Sequence, residues 1–124
     1  MRNRLQIPWL AVLLLGTPPA LAQDTTGKLC EALTQEDARV VAKAAADARL
    51  VKERAVTLAL RRALDRWAKE ERANAEVVRL FLLDALVEHG AKIPGDQLLP
   101  MLDDPLTEIP ALVLLCREPA MNEA

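Results

Sequence analysis

Few residues in this chain have the chemistry for catalysis or coordination. It has one His, two Cys, no Tyr and no Ser. The nucleophile types available are therefore Thr, Cys30 and Cys116, and the one imidazole is His89. A Cys–His pair needs a free thiolate beside the base, and a disulfide would remove it. Glu88 and His89 are adjacent, so on a helix they point about 100° apart and suit no common ion. Asp103 and Asp104 lack the further oxygen ligands and the Gly of a calcium loop. No CxxCH haem site and no Gly-rich phosphate loop is present. The expectation is a protein without catalytic residues, metal or cofactor.

The two cysteines carry a different chemistry. They stand near opposite ends of the chain beyond residue 22, and an even count in an exported chain suggests a disulfide. A Cys30–Cys116 bridge would stabilise by about 4–5 kcal/mol in the chain-entropy model, a large share of the net stability of a small domain. Free thiols and intermolecular pairing are the alternatives.

Export is read from residues 1–22. Arg2 and Arg4 form a basic start, Ile7–Gly16 is apolar, and Ala20-Leu21-Ala22 is a small-x-small cleavage site, which places the mature start at Gln23. An uncleaved anchor is disfavoured, because the apolar run is short for a bilayer and Pro18-Pro19 breaks it. A cleaved signal peptide places the product in the periplasm or outside the cell. Loss of Arg2 and Arg4 moves the net charge from −2 to −4, which argues against nucleic acid or an anionic membrane as partner.

The composition of the remaining chain favours helix and disfavours a β-sandwich or barrel. Gly is rare at 4 of 124 residues, aromatics make up 2%, and Ala is abundant. One domain is expected, with residues 23–33 as a lead-in whose first part, Gln23–Lys28, is polar and flexible, 34–117 as the helical domain and 118–124 as a polar tail. Thr34, Glu36 and Asp37 read as the start of a first helix running to about Ala48, with Val40, Val41, Ala44, Ala45 and Ala48 as its apolar face. A second helix, about Leu50–Arg72, carries the stripe Val56, Leu60, Ala63, Leu64 and Trp67. No Gly or Pro separates the two. One continuous helix over 34–72 would be about 58 Å long, against a radius of gyration near 13 Å for a domain of this size. A break near 47–50 is favoured, with one long helix in an elongated assembly as the alternative.

Glu76–Gly90, EVVRLFLLDALVEHG, is apolar around nearly its whole circumference and must be covered on nearly every side. It is expected to be the central helix, opened by Asn74 and closed by Gly90 in a left-handed cap. After Pro94-Gly95 come a short helix to Leu102 and a last helix, Thr107–Arg117, with Ala111–Cys116 expected to be buried.

Leu98-Leu99-Pro100-Met101-Leu102-Asp103-Asp104-Pro105, followed by Glu108-Ile109-Pro110-Ala111-Leu112, resembles a HEAT-type repeat. Such repeats read Leu-Leu-Pro-x-Leu-x-Asp-Pro, then an acidic residue opening a second apolar helix. Glu76-Val77-Val78-Arg79-Leu80 is similar to that second opening, 32 residues earlier. Pro110 departs from the pattern, which prefers Arg there. The resemblance covers about residues 76–116. It implies stacked helical hairpins that bind protein on a helical surface, with no active site. An unrelated small helical bundle is the other reading.

The expected function is an exported helical protein-interaction module, similar in format to adaptors, chaperones, pilotins and immunity proteins. Its candidate contacts are Arg61, Arg62 and Arg66, a basic patch for an acidic protein partner, with Asp84 as an anchor for a partner Arg and Trp67 as an interface aromatic. Homo-oligomerisation stays open. The alternative is a periplasmic carrier of a small apolar ligand, in a pocket lined by Leu80, Leu83, Leu86 and Leu112.

Overall fold

A computed structural model describes residues 25–117; the expected signal peptide and the polar tail lie outside them. Among the described residues the fold is all-α. The first element is α1 (residues 25–32), so the lead-in, read as flexible over Gln23–Lys28, is helical from residue 25. Leu29 and Leu33 lie one turn apart and are both buried. Two apolar positions are too few to register as a period, yet they are enough to seat a helix of two turns. The Thr34 hydroxyl donates back to Glu31 O at 2.7 Å, so Thr34 closes α1 and does not open the next helix.

That next helix, α2 (Ala38–Ala48), is capped by Asp37, whose carboxylate accepts Arg39 N–H at 2.9 Å. Val41, Ala44, Ala45 and Ala48 are buried as expected, while Val40 is exposed. The backbone then turns through residues 49–53, and α3 (Arg54–Trp67) begins from an extended Glu53. Residues 34–72 are thus two helices, and all five members of the expected α3 stripe are buried. Both helices pack on α4 (Ala75–Glu88), which a single rod could not do.

α4 is the centre of the fold, packed by α2, α3 and α6. Val78, Leu82, Leu83, Ala85 and Leu86 are fully covered. Asn74 precedes α4 as expected but caps by conformation: it is left-handed, at φ 72°, and its side chain makes no capping bond. At the far end Gly90 is left-handed, at φ 65°. Gly90 N–H reaches Val87 O and Ala91 N–H reaches Leu86 O, at 3.0 and 3.1 Å, a Schellman closure.

The chain continues as α5 (Gly95–Leu98), a 3-10 turn (Leu99–Asp103) and α6 (Glu108–Arg117). Pro110 is the third residue of α6, where its missing N–H breaks no helical bond. Buried Thr107 donates to Met101 O at 2.7 Å and ties the 3-10 turn to α6. Only Ala111, Leu114 and Leu115 of the last apolar run are buried. Leu112 and Cys116 face outward, which corrects the expectation that the whole run is core.

The disulfide is also corrected. Cys30 and Cys116 are free and not near each other. Cys30 lies on α1 with its thiol 3.6 Å from Ala55 O of α3. Cys116 is in the last turn of α6, which packs on α4, α5 and the 3-10 turn. An even cysteine count carries no geometry, and here the fold holds the two ends apart.

Candidate functional site

The basic residues divide by what their side chains touch. The last carbonyls of a helix have no partner within it and carry the negative end of its dipole. In this fold, donors from later helices supply partners. The Arg66 guanidinium donates to Leu33 O, Thr34 O and Gln35 O at 3.2, 2.7 and 3.0 Å, holding the turn that follows α1. His89 Nε2 lies 2.7 Å from Ala48 O, the end of α2. Because a carbonyl only accepts, Nε2 carries the proton. His89 Nδ1 meets the Thr57 hydroxyl at 2.7 Å, so the imidazole pins α2, α3 and α4 together. Arg79 donates to Trp67 O and Glu70 O, both at 2.9 Å, and ends α3. Arg117 donates to Val87 O at 2.8 Å and closes α4.

Arg66 therefore holds the fold together and is not free for a partner. Arg61 and Arg62 are exposed and make no ion pair among the described residues. Asp84 is matched within the chain: Arg49 lies 3.4 Å from Asp84 and 3.3 Å from Glu88. These side chains are around two-fifths exposed, so the pairs contribute about 0–1 kcal/mol. Trp67 is 2% exposed, with the Arg72 guanidinium 4.8 Å above its ring. It is a core residue and offers no face to a partner. Glu70 accepts the N–H groups of Glu71 and Arg72; the Arg72 amide is foremost in holding its carboxyl below the usual range.

Two surface features remain. The first is a groove of about 460 Å³ between α1 and α3. Its walls are apolar, from Leu33 on one side and Leu58, Ala59 and Ala63 on the other, and Arg62 and Arg66 stand along it. Cys30 also lines this groove. The second is the outward face of α6, where Ile109 is 67% and Leu112 44% exposed, with Cys116 one turn further on. Leu106, 45% exposed, precedes that helix. Sequence reasoning misses both. The groove depends on α1, whose residues read as a lead-in outside the helical domain, and the apolar run of α6 does not say which face is covered.

The pocket expected from Leu80, Leu83, Leu86 and Leu112 does not form. Leu83 and Leu86 are packed core, while Leu112 is on the outer surface. Among the described residues no group of three or more His, Cys, Asp or Glu converges as metal ligands. No helix there is long and apolar enough to cross a membrane.

The thiols report this geometry directly. Two thiols should titrate in the denatured, non-reduced protein. In the folded state Cys116 should react with a maleimide about tenfold faster than half-buried Cys30, since access controls thiol reaction. A protein lacking free thiols, or two equal rates, would contradict the arrangement. Comparison with protein-family models, with curated proteins and with solved structures found no match.

Proposed function

We propose that this chain is an exported helical protein-interaction module without catalytic activity, and that the outward face of α6 is its contact surface. The observation that carries this reading is the stripe Leu106, Ile109, Leu112 and Cys116. Single exposed apolar residues are ordinary on a protein surface, whereas a contiguous apolar helix face marks an interaction site. Val78, Leu82 and Leu86 of the all-round apolar α4 are buried, whereas the α6 stripe is exposed. The export part rests on the basic, apolar and small-x-small pattern of residues 1–22. The HEAT-like reading of the last hairpin is supported by buried Leu98 and Met101, by Asp104 turning the chain, and by Glu108 opening α6.

The test places a thiol-linked benzophenone on Cys116 and irradiates it with the exported proteins of the host. One discrete adduct is expected, and its mass identifies a second copy or a different chain. Ile109→Glu combined with Leu112→Glu should abolish it, with unfolding free energy changed by no more than about 0.5 kcal/mol per exposed site. Retention of the adduct in the double variant, or an equal adduct from a probe on Cys30, would refute the reading.

A further inference from the structure

We propose that the exported chain closes its own N-terminus, Gln23 cyclising to pyroglutamate, and that this closure steadies α1. The proposal rests on the export reading, because cleavage after Ala22 is what gives Gln23 a free α-amine. The neutral amine attacks the carbon of the Gln23 side-chain amide. A C–N bond forms within a five-membered lactam and the bond from that carbon to the amide nitrogen breaks. That nitrogen leaves as ammonia, with the proton that the amine gives up. No oxidant, metal or second residue takes part. Both reacting groups belong to one residue, so no association step opposes the attack. An α-amine ordinarily titrates at about 7.7–8.0, which leaves part of it unprotonated and nucleophilic at neutral pH. The register of cleavage decides the outcome. One residue later the chain would start at Asp24, whose side chain has no amide and is one carbon too short for this ring.

The fold gives the closure a consequence. α1 covers residues 25–32, so a chain that starts at Gln23 puts its amine two residues before Thr25, at the positive end of the helix dipole. A protonated amine there opposes the helix, and an uncharged lactam does not. Asp24 keeps its negative charge, which suits that end. In a long, well-covered helix the difference would be lost among other contacts. α1 has two turns, too few to be stable by itself. Its anchors are Leu29 and Leu33, with the Arg66 guanidinium holding the turn that follows. Its first turn has no such cover: Thr25, Gly27 and Lys28 are exposed, and Gly27 disfavours helix. The charge at the chain end therefore weighs on the part of α1 that packing holds least.

The test uses the full chain exported from its host. Free amines are dimethylated while the protein is intact, so that closure during handling is not counted, and the N-terminal peptide ending at Arg39 is weighed. It should begin at residue 23, carry no label on its first residue and be lighter than its sequence by about 17 Da, the ammonia lost. The closed fraction should rise on prolonged incubation at mildly alkaline pH, where more of the amine is neutral. The effect on α1 is read by hydrogen exchange against Gln23→Ala, which keeps its amine. At neutral pH the α1 amides should exchange about two- to fivefold faster in Gln23→Ala, with those of α4 unchanged. Selective acetylation of that amine should restore protection, because it removes the charge without forming a lactam. A chain that begins at Gln23 and keeps its amine through the incubation would overturn the proposal and leave export standing. A chain that begins elsewhere would overturn the cleavage site and the proposal together. Equal α1 exchange in the closed chain and Gln23→Ala would overturn the link to the helix.

Discussion

Leu82→Ala should lower the free energy of unfolding by about 3–5 kcal/mol, the upper part of the range for a buried Leu→Ala change. Leu82 is fully buried on a helix that three others pack around. The size of the loss depends on whether neighbours can collapse into the space left. Here they are restrained: Arg79 ties α4 to the end of α3, His89 ties its C-terminus to α2 and α3, and Arg117 ties it to α6. A cavity at Leu82 should therefore stay open. Against a net stability of about 5–15 kcal/mol, this is a third or more of the total for a protein of middling stability. The midpoint of thermal unfolding should fall by well over 10 °C at about 4–8 °C per kcal/mol. Leu112→Ala, on the outer face of α6, removes the same atoms and should change stability by no more than about 0.5 kcal/mol. Urea unfolding of the two variants measures the contrast. Similar losses at both sites would mean that α4 is not the covered helix or that α6 is not the open one.

That contrast also shows where sequence reasoning stops. The α3 stripe is legible in full, because five residues at helical spacing define one face. α4 is legible as the centre for the opposite reason: with apolar residues all round, no choice of face is needed. Gly90 is legible because a left-handed cap favours Gly. The α6 run is ambiguous, since a short apolar segment does not indicate which side is covered, and Ile109 and Leu112 lie outside. The helix-end clamps are hidden for a different reason. Arg66 and Leu33 are 33 residues apart, and His89 and Ala48 are 41 apart. In the sequence Arg66 is one more member of a basic patch; only the fold shows that three carbonyls converge on it. The disulfide fails in the same way, since pairing is a matter of distance and orientation.

Arg66→Ala should release α1 while leaving the rest of the fold standing. α1 is held by Leu29 and Leu33 beneath it and by the guanidinium in the turn that follows it. The three carbonyls return to water when the clamp is removed, so the net loss is well below the sum of three bonds, at about 1–3 kcal/mol. Because α1 is short and sits at the edge, that loss should appear as local opening. Its amides should exchange about ten- to a hundredfold faster, a factor of ten for each 1.4 kcal/mol, while those of α4 change little. Arg66→Lys should not restore protection. One ammonium on a flexible stem cannot serve a fan of carbonyls that a planar guanidinium spans. Arg61→Ala, earlier on the same helix with no ion pair to lose, is the matched control and should stay within about 0.5 kcal/mol of the parent. The thiols give an independent reading: opening of α1 should raise the alkylation rate of Cys30 and leave that of Cys116 alone. If Arg66→Ala instead weakens α4 as much as α1, the clamp belongs to the global core and α1 does not open separately.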